Sequence, residues 1–147
     1  MTLSHSWIPL AEGDLAKAAG DAADDIADAL KQVAPEGGDL AAGASGLCLF
    51  WAYYGACRDD ADALARAGDL VHRAVDLMGN EGGTLGLYTG VTGVGWMMEH
   101  LAGDPDAEDD PCAGIDRALE GALATETWTE SYDLIEGLVG HAVYALE

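Results

Sequence analysis

The sequence predicts an all-α protein of helical-hairpin repeats. Three observations lead there. Apolar residues recur at helical spacing in segment after segment, and none shows a convincing strand alternation. The segments alternate between amphipathic and nearly all-apolar, the pattern of hairpins stacked side by side with wet helices outside and dry ones inside. A Leu-x-x-Gly-x-x-Gly string recurs at intervals of 47 residues.

The elements follow in order. Segment 11–34 is amphipathic, with Leu15, Ala18, Ala22, Ile26, Ala29 and Val33 as the apolar stripe and Asp14, Asp21, Asp24, Asp25 and Asp28 mostly opposite. Pro35-Glu36-Gly37-Gly38 is expected to end it. Segment 44–57 is apolar nearly all round, which marks a helix buried on most sides. Asp59-Asp60 opens a third helix running to about Met78, with Leu64, Ala67, Val71, Ala74 and Met78 as its stripe. Segment 91–102 is again apolar, Gly103 to Pro111 reads as an acidic loop, and segment 112–125 is amphipathic through Ile115, Leu119, Ala122 and Leu123. A last apolar helix starts at 138.

The repeated strings are Leu40-Ala41-Ala42-Gly43-Ala44-Ser45-Gly46, Leu87-Tyr88-Thr89-Gly90-Val91-Thr92-Gly93 and Leu134-Ile135-Glu136-Gly137-Leu138-Val139-Gly140. Asp39 and Asp133 precede the first and third. A helical Gly is about 1 kcal/mol less favourable than Ala, so something must offset it three times over. Two readings fit. Without Cβ, the backbone at the start of each inner helix can press against a neighbour. The same glycines could instead give a substrate access to a central cavity.

Charge narrows the partners. There are 27 acidic residues against 6 basic ones, a net charge of −21. Such a chain repels phosphate backbones and anionic membrane surfaces, so nucleic acid is not expected as a partner. A solvated acidic face, adaptation to high salt and attraction of a basic leader peptide all fit this balance. Cys48, Cys57 and Cys112 are an odd count without tight spacing, which suits reduced thiols better than a disulfide framework. No basic-then-apolar leader opens the chain, and Gly or charge interrupts every apolar run before membrane length. A cytoplasmic protein without membrane insertion is the expectation.

The strings carry a family resemblance. Leu87-Tyr88-Thr89-Gly90-Val91-Thr92-Gly93-Val94-Gly95-Trp96, Tyr132-Asp133-Leu134-Ile135-Glu136-Gly137-Leu138-Val139-Gly140 and Gly43-Ala44-Ser45-Gly46-Leu47-Cys48-Leu49-Phe50 resemble motifs of the lanthionine synthetase C-like (LanC-like) family, across residues 11–147. The resemblance implies that 1–147 is part of an α/α toroid, its N-terminal portion, ending within the third inner helix. It implies lanthipeptide cyclase chemistry: a zinc-bound peptide thiolate adds to dehydroalanine or dehydrobutyrine to form a thioether. The expected partners are a dehydrated precursor peptide or the missing C-terminal half of the toroid.

Departures from the family set the limits. Zinc is expected for the complete enzyme, held by two Cys and one His with a Cys-His-Gly signature. This chain has no Cys-His pair, and His5, His72, His100 and His141 show no ligand spacing with its cysteines. No metal ligand or cofactor is therefore assigned here, and the chain alone is expected to be inactive or incomplete. By motif match, Asp133 is the one catalytic candidate, assisting proton transfer with a His downstream. Helix capping is its structural alternative, favoured by Asp39 at the same repeat position. Two other readings remain open: a non-catalytic peptide- or protein-binding module, and a glycosidase-like ring using Glu130 and Asp133 as an acidic pair.

Overall fold

A computed structural model describes residues 9–81, 83–102 and 110–147. Those residues form six helices and no strand. They are α1 (Gly13–Leu30), α2 (Ala44–Arg58), α3 (Ala61–Glu81), α4 (Val91–Ala102), α5 (Ala113–Leu123) and α6 (Leu138–Ala145). Most of the expected acidic loop after Ala102 lies outside the described residues.

Helices α2, α4 and α6 form the inner layer, and α1, α3 and α5 the outer one. The tightest pairing is the α2–α3 hairpin. It depends on Gly55, where a Cβ would stand 2.8 Å from the Leu64 side chain of α3. Asp59 turns the chain between them in the left-handed region, at φ 53°. Asp60 then caps α3 by accepting the N–H groups of Asp62 and Ala63, both at 3.0 Å. The expected α3 stripe packs inward: Ala67, Ala74 and Met78 are buried and join Trp51, Ala52 and Met97 in the main core.

The first helix corrects the sequence reading. Its expected stripe faces solvent: Leu15 is 68%, Ile26 50% and Val33 47% exposed. The packed face is instead Gly20, Ala23, Ala27 and Leu30. Polar ties set this rotation. Arg58 of α2 donates to the Gly20 carbonyl at 2.7 Å and pairs with Asp24 at 2.8 Å, and the Tyr54 hydroxyl also donates to Asp24 at 3.0 Å. The small residues of that face let α1 lie close to the bulky side of α2. The helix also stops before Pro35, since the Val33 N–H bonds the Leu30 carbonyl in a tighter turn.

The three Gly-x-x-Gly segments fold into one structure repeated in register. Each loop closes when the N–H of Ala44, Val91 or Leu138 donates to the carbonyl of Gly37, Thr84 or Ser131, at 2.8, 2.9 and 3.0 Å. A Cβ on Gly43, Gly90 or Gly137 would meet that same carbonyl oxygen at 2.5 Å or less. On Gly46, Gly93 or Gly140 it would meet the carbonyl of Leu40, Leu87 or Leu134 at 2.5 Å or less. Close backbone approach is thus the structural reason for all six glycines. In two copies a hydroxyl adds a clamp: Ser45 donates to the Gly38 carbonyl and Thr92 to the Leu85 carbonyl, each at 2.7 Å. Val139 holds this place in the third copy.

The loops also bond to each other. The Ala41 N–H donates to the Tyr88 carbonyl, and the Tyr88 N–H to the Ile135 carbonyl, both at 3.0 Å. Ala41, Tyr88 and Ile135 occupy one repeat position, so these bonds form a ladder across the copies. At the other end of the inner helices a second relay keeps the same register. The Tyr53 hydroxyl and His100 Nε2 lie 2.5 Å apart, and His100 Nδ1 lies 2.5 Å from a Glu147 carboxylate oxygen. These three residues are again 47 apart, and Trp96 stacks on the imidazole at 4.6 Å between ring centroids.

Gly93→Ala forces a methyl against the Leu87 carbonyl and is expected to destabilise the fold by about 1–3 kcal/mol, as overpacking does. Gly68→Ala, on an exposed face of α3 with open space around it, is expected to stabilise by up to about 1 kcal/mol. Urea unfolding of the two variants against the wild type checks both signs.

His141 supplies a pH test. It occupies the repeat position of Leu47 and Val94, is buried, and its Nδ1 has no hydrogen-bond partner among the described residues. Burial lowers its pKa below the ordinary value. The unfolded chain therefore takes up this proton first, and the site's contribution to stability is lost as pH falls below about 6.5. His141→Leu is expected to raise stability by about 1 kcal/mol, by removing the unpaired atom, and to remove that part of the pH slope. Thermal melts of the pair between pH 5 and 8, compared as differences, measure it.

Candidate functional site

The candidate site is the loop that leads into α6. Trp128 anchors its near end: the indole N–H donates to the Ser131 carbonyl at 2.8 Å, and its ring meets His141 edge-on at 5.7 Å between centroids. The Tyr132 hydroxyl donates back to the Trp128 carbonyl at 3.2 Å, so Tyr132 braces the loop while remaining exposed. The Ser131 carbonyl also accepts the Leu138 N–H, which ties loop and helix together.

Asp133 lies inside this frame with its side chain exposed. One carboxylate oxygen accepts the Ser131 hydroxyl at 2.5 Å. The other accepts the N–H groups of Ile135 at 2.7 Å and Glu136 at 2.8 Å. The Ser131 hydroxyl first, and the Glu136 N–H next, hold the carboxyl below the usual carboxylate range. Asp133 is therefore a fixed anion at neutral pH. A carboxyl held this low is a weak proton acceptor and is suited to orient a cationic partner.

The capping alternative takes a modified form. The residue at the α6 N-cap is Gly137, without a side-chain cap. Asp133 instead orders the loop before the helix, as Asp39 does when it accepts the Ala42 N–H at 2.9 Å. Gly86 occupies this place in the second copy, where Thr89 instead bonds Glu136 of the third at 2.9 Å. Among the described residues, the hydrogen bonds of the Asp133 carboxylate go to its own loop, and none joins it to Glu130.

The cysteines do not gather. Cys48 is buried between α2 and α3, where its thiol donates to the Ala67 carbonyl at 3.3 Å, and burial pushes its pKa up to about 11. Cys57 is exposed at the end of α2. Cys112 is buried at the start of α5, and burial, then Glu99, pushes its thiol up to about 12. Among the described residues, the one group of His, Cys, Asp and Glu side chains close enough to share an ion is Glu99, Asp110 and Cys112. One thiol and two carboxylates, with no histidine, do not match a two-cysteine, one-histidine zinc set.

Sequence inspection missed the Tyr53–His100–Glu147 relay. The signal was available, because the 47-residue offset that aligns the glycines also aligns these three side chains. An apolar cleft of about 530 Å³ between α3, α4 and α5 was not foreseen either. Met78, Val94, Met98 and Ile115 line it, and no residue of the Asp133 loop does. No helix among the described residues is long and apolar enough to cross a membrane.

No curated protein matches the chain. A family model described as lanthionine synthetase C-like protein matches residues 34–147. That span holds all three loops and leaves out α1, whose stripe the sequence misplaced. Matched over most of its length and built of helical repeats, the chain belongs to the lanthionine synthetase C-like family.

Proposed function

We propose that this chain is the N-terminal portion of a lanthipeptide cyclase and presents Asp133 to the reacting peptide. In that reaction a cysteine sulfur bonds the β-carbon of dehydroalanine or dehydrobutyrine, the carbon–carbon double bond opens, and the thiol proton ends on the α-carbon. Asp133 fits the part of an anion that orients a cationic proton carrier. The observation behind this reading is the triple fixing of an exposed carboxylate at the start of an inner helix. Zinc would supply the thiolate in a complete enzyme. The donors here do not fit it, so ring closure is assigned to residues beyond those described.

The charge of −21 favours a basic segment in the peptide, with affinity falling as salt rises. A non-catalytic peptide-binding module is the second reading. It draws on the burial of Cys48 and Cys112, whose thiols stay protonated at neutral pH.

Fluorescence anisotropy with a labelled lysine-rich peptide carrying one cysteine and one dehydroalanine tests the binding. Asp133→Asn keeps an oxygen for the loop N–H groups while removing the charge. It is expected to weaken binding about tenfold, ~1.4 kcal/mol, with unchanged helicity. Equal affinity of wild type and variant would remove Asp133 from the site. Mass spectrometry after thiol alkylation tests the chemistry: the chain alone, with or without added zinc, is expected to leave the peptide thiol free. A thioether formed by this chain with zinc would contradict the ligand argument.

A further inference from the structure

The apolar cleft of about 530 Å³ opens between two outer helices, α3 and α5, with the inner helix α4 as its floor. Neither α1 nor α6 contributes to it. Its volume lies in the range of small-ligand sites, about 300–1,000 Å³. Two of its wall residues are glycines, Gly79 and Gly114, and a Cβ built on either meets nothing within 4 Å. The first repeat shows what fills the corresponding place. Met98, which lines the cleft, holds the repeat position of Trp51. Trp51 is 3% exposed and lies in the core with Ala27 of α1 and Ala67 of α3. Arg66 of α3 covers its ring at 4.9 Å and donates to the Lys31 carbonyl at 3.4 Å, which closes the gap between α1 and α3. The α3–α5 gap has the slimmer Met98 and stays open.

Charge beside the cleft is also unanswered. Glu99 follows Met98 in the chain and Asp110 precedes Pro111, and their carboxylates come within 4.8 Å of each other and of the Cys112 thiol. Among the described residues, no lysine or arginine pairs with either. The sequence ahead of Asp110 adds Asp104, Asp106, Glu108 and Asp109 and no large apolar residue. We propose that the cleft receives an aromatic side chain from a basic peptide segment, with a neighbouring lysine or arginine of that segment at Glu99 and Asp110. The aromatic ring supplies the bulk that Met98 lacks relative to Trp51. The cation stands beside that ring, as Arg66 does in the first repeat, and answers the two carboxylates. A neutral apolar ligand would leave that charge unpaired. The inference rests on the comparison of repeats and not on the cyclase reading.

Fluorescence anisotropy of the full chain at low salt, with a labelled peptide of one tryptophan between lysines, tests the docking. Replacing the peptide's tryptophan by alanine is expected to weaken binding about tenfold, as loss of an aromatic anchor does. Two substitutions block the cleft from within. Met98→Trp restores the plug of the first repeat, and Gly114→Leu sets a side chain in the open space. Each should erase the advantage of the tryptophan peptide over its alanine version, with helicity by circular dichroism unchanged. Glu99→Gln should weaken the lysine-bearing peptide and flatten the salt dependence of its binding. Asp133→Asn should leave the ratio of the two affinities unchanged, which separates this cleft from the Asp133 loop. Equal affinity for the tryptophan and alanine peptides would overturn the inference. So would a tryptophan advantage that survives both Met98→Trp and Gly114→Leu, or one that is lost in Asp133→Asn.

Discussion

Everything in this molecule depends on how closely the backbone packs at the start of each inner helix. Two glycines per repeat let the preceding loop fold its carbonyls onto the helix, closer than any side chain would permit. Once folded this way, the loop presents one N–H and one carbonyl sideways, and those groups bond the neighbouring loop. Backbone groups that would otherwise need water are thus paired between repeats. The helical cost of glycine is offset by a contact that only glycine allows.

Charge is arranged around that frame. The dry inner helices carry few charges, and the acidic residues gather on the outer ones. The basic residues are few, and two of them brace the first hairpin: Arg58 ties α1 to α2, and Arg66 of α3 lies over the Trp51 ring at 4.9 Å. The exposed pairs Lys17–Asp21 and Lys31–Asp28 add little. Stability therefore comes from burial and the loop ladder, with repulsion among carboxylates set against it.

Legibility in the sequence followed the strength of the local constraint. The glycine register was plain because steric necessity fixes residue type at two positions per copy. Helix α4 came out with the expected bounds, and the inward face of α3 was also readable, because a buried stripe has to be apolar. The stripe of α1 was misread because alanines populate several of its faces, and the choice between faces is made by Arg58 and Tyr54 from another helix. Asp133 was legible as a candidate from its motif. Its low pKa was not, since that depends on how Ser131 and two N–H groups turn toward it. The side-chain relay at Tyr53, His100 and Glu147 was hidden because three different residue types share one repeat position.

The candidate site inherits its rigidity from the repeat. Asp133 is held by the same kind of loop that Asp39 orders in the first copy. Amide hydrogen exchange across the ladder tests the central claim most directly. The Ala41 and Tyr88 amides should exchange only through opening of the repeat stack, as slowly as the amides in the middle of α2. Exchange at the rate of an exposed loop amide would show that the repeats are not held together at these loops.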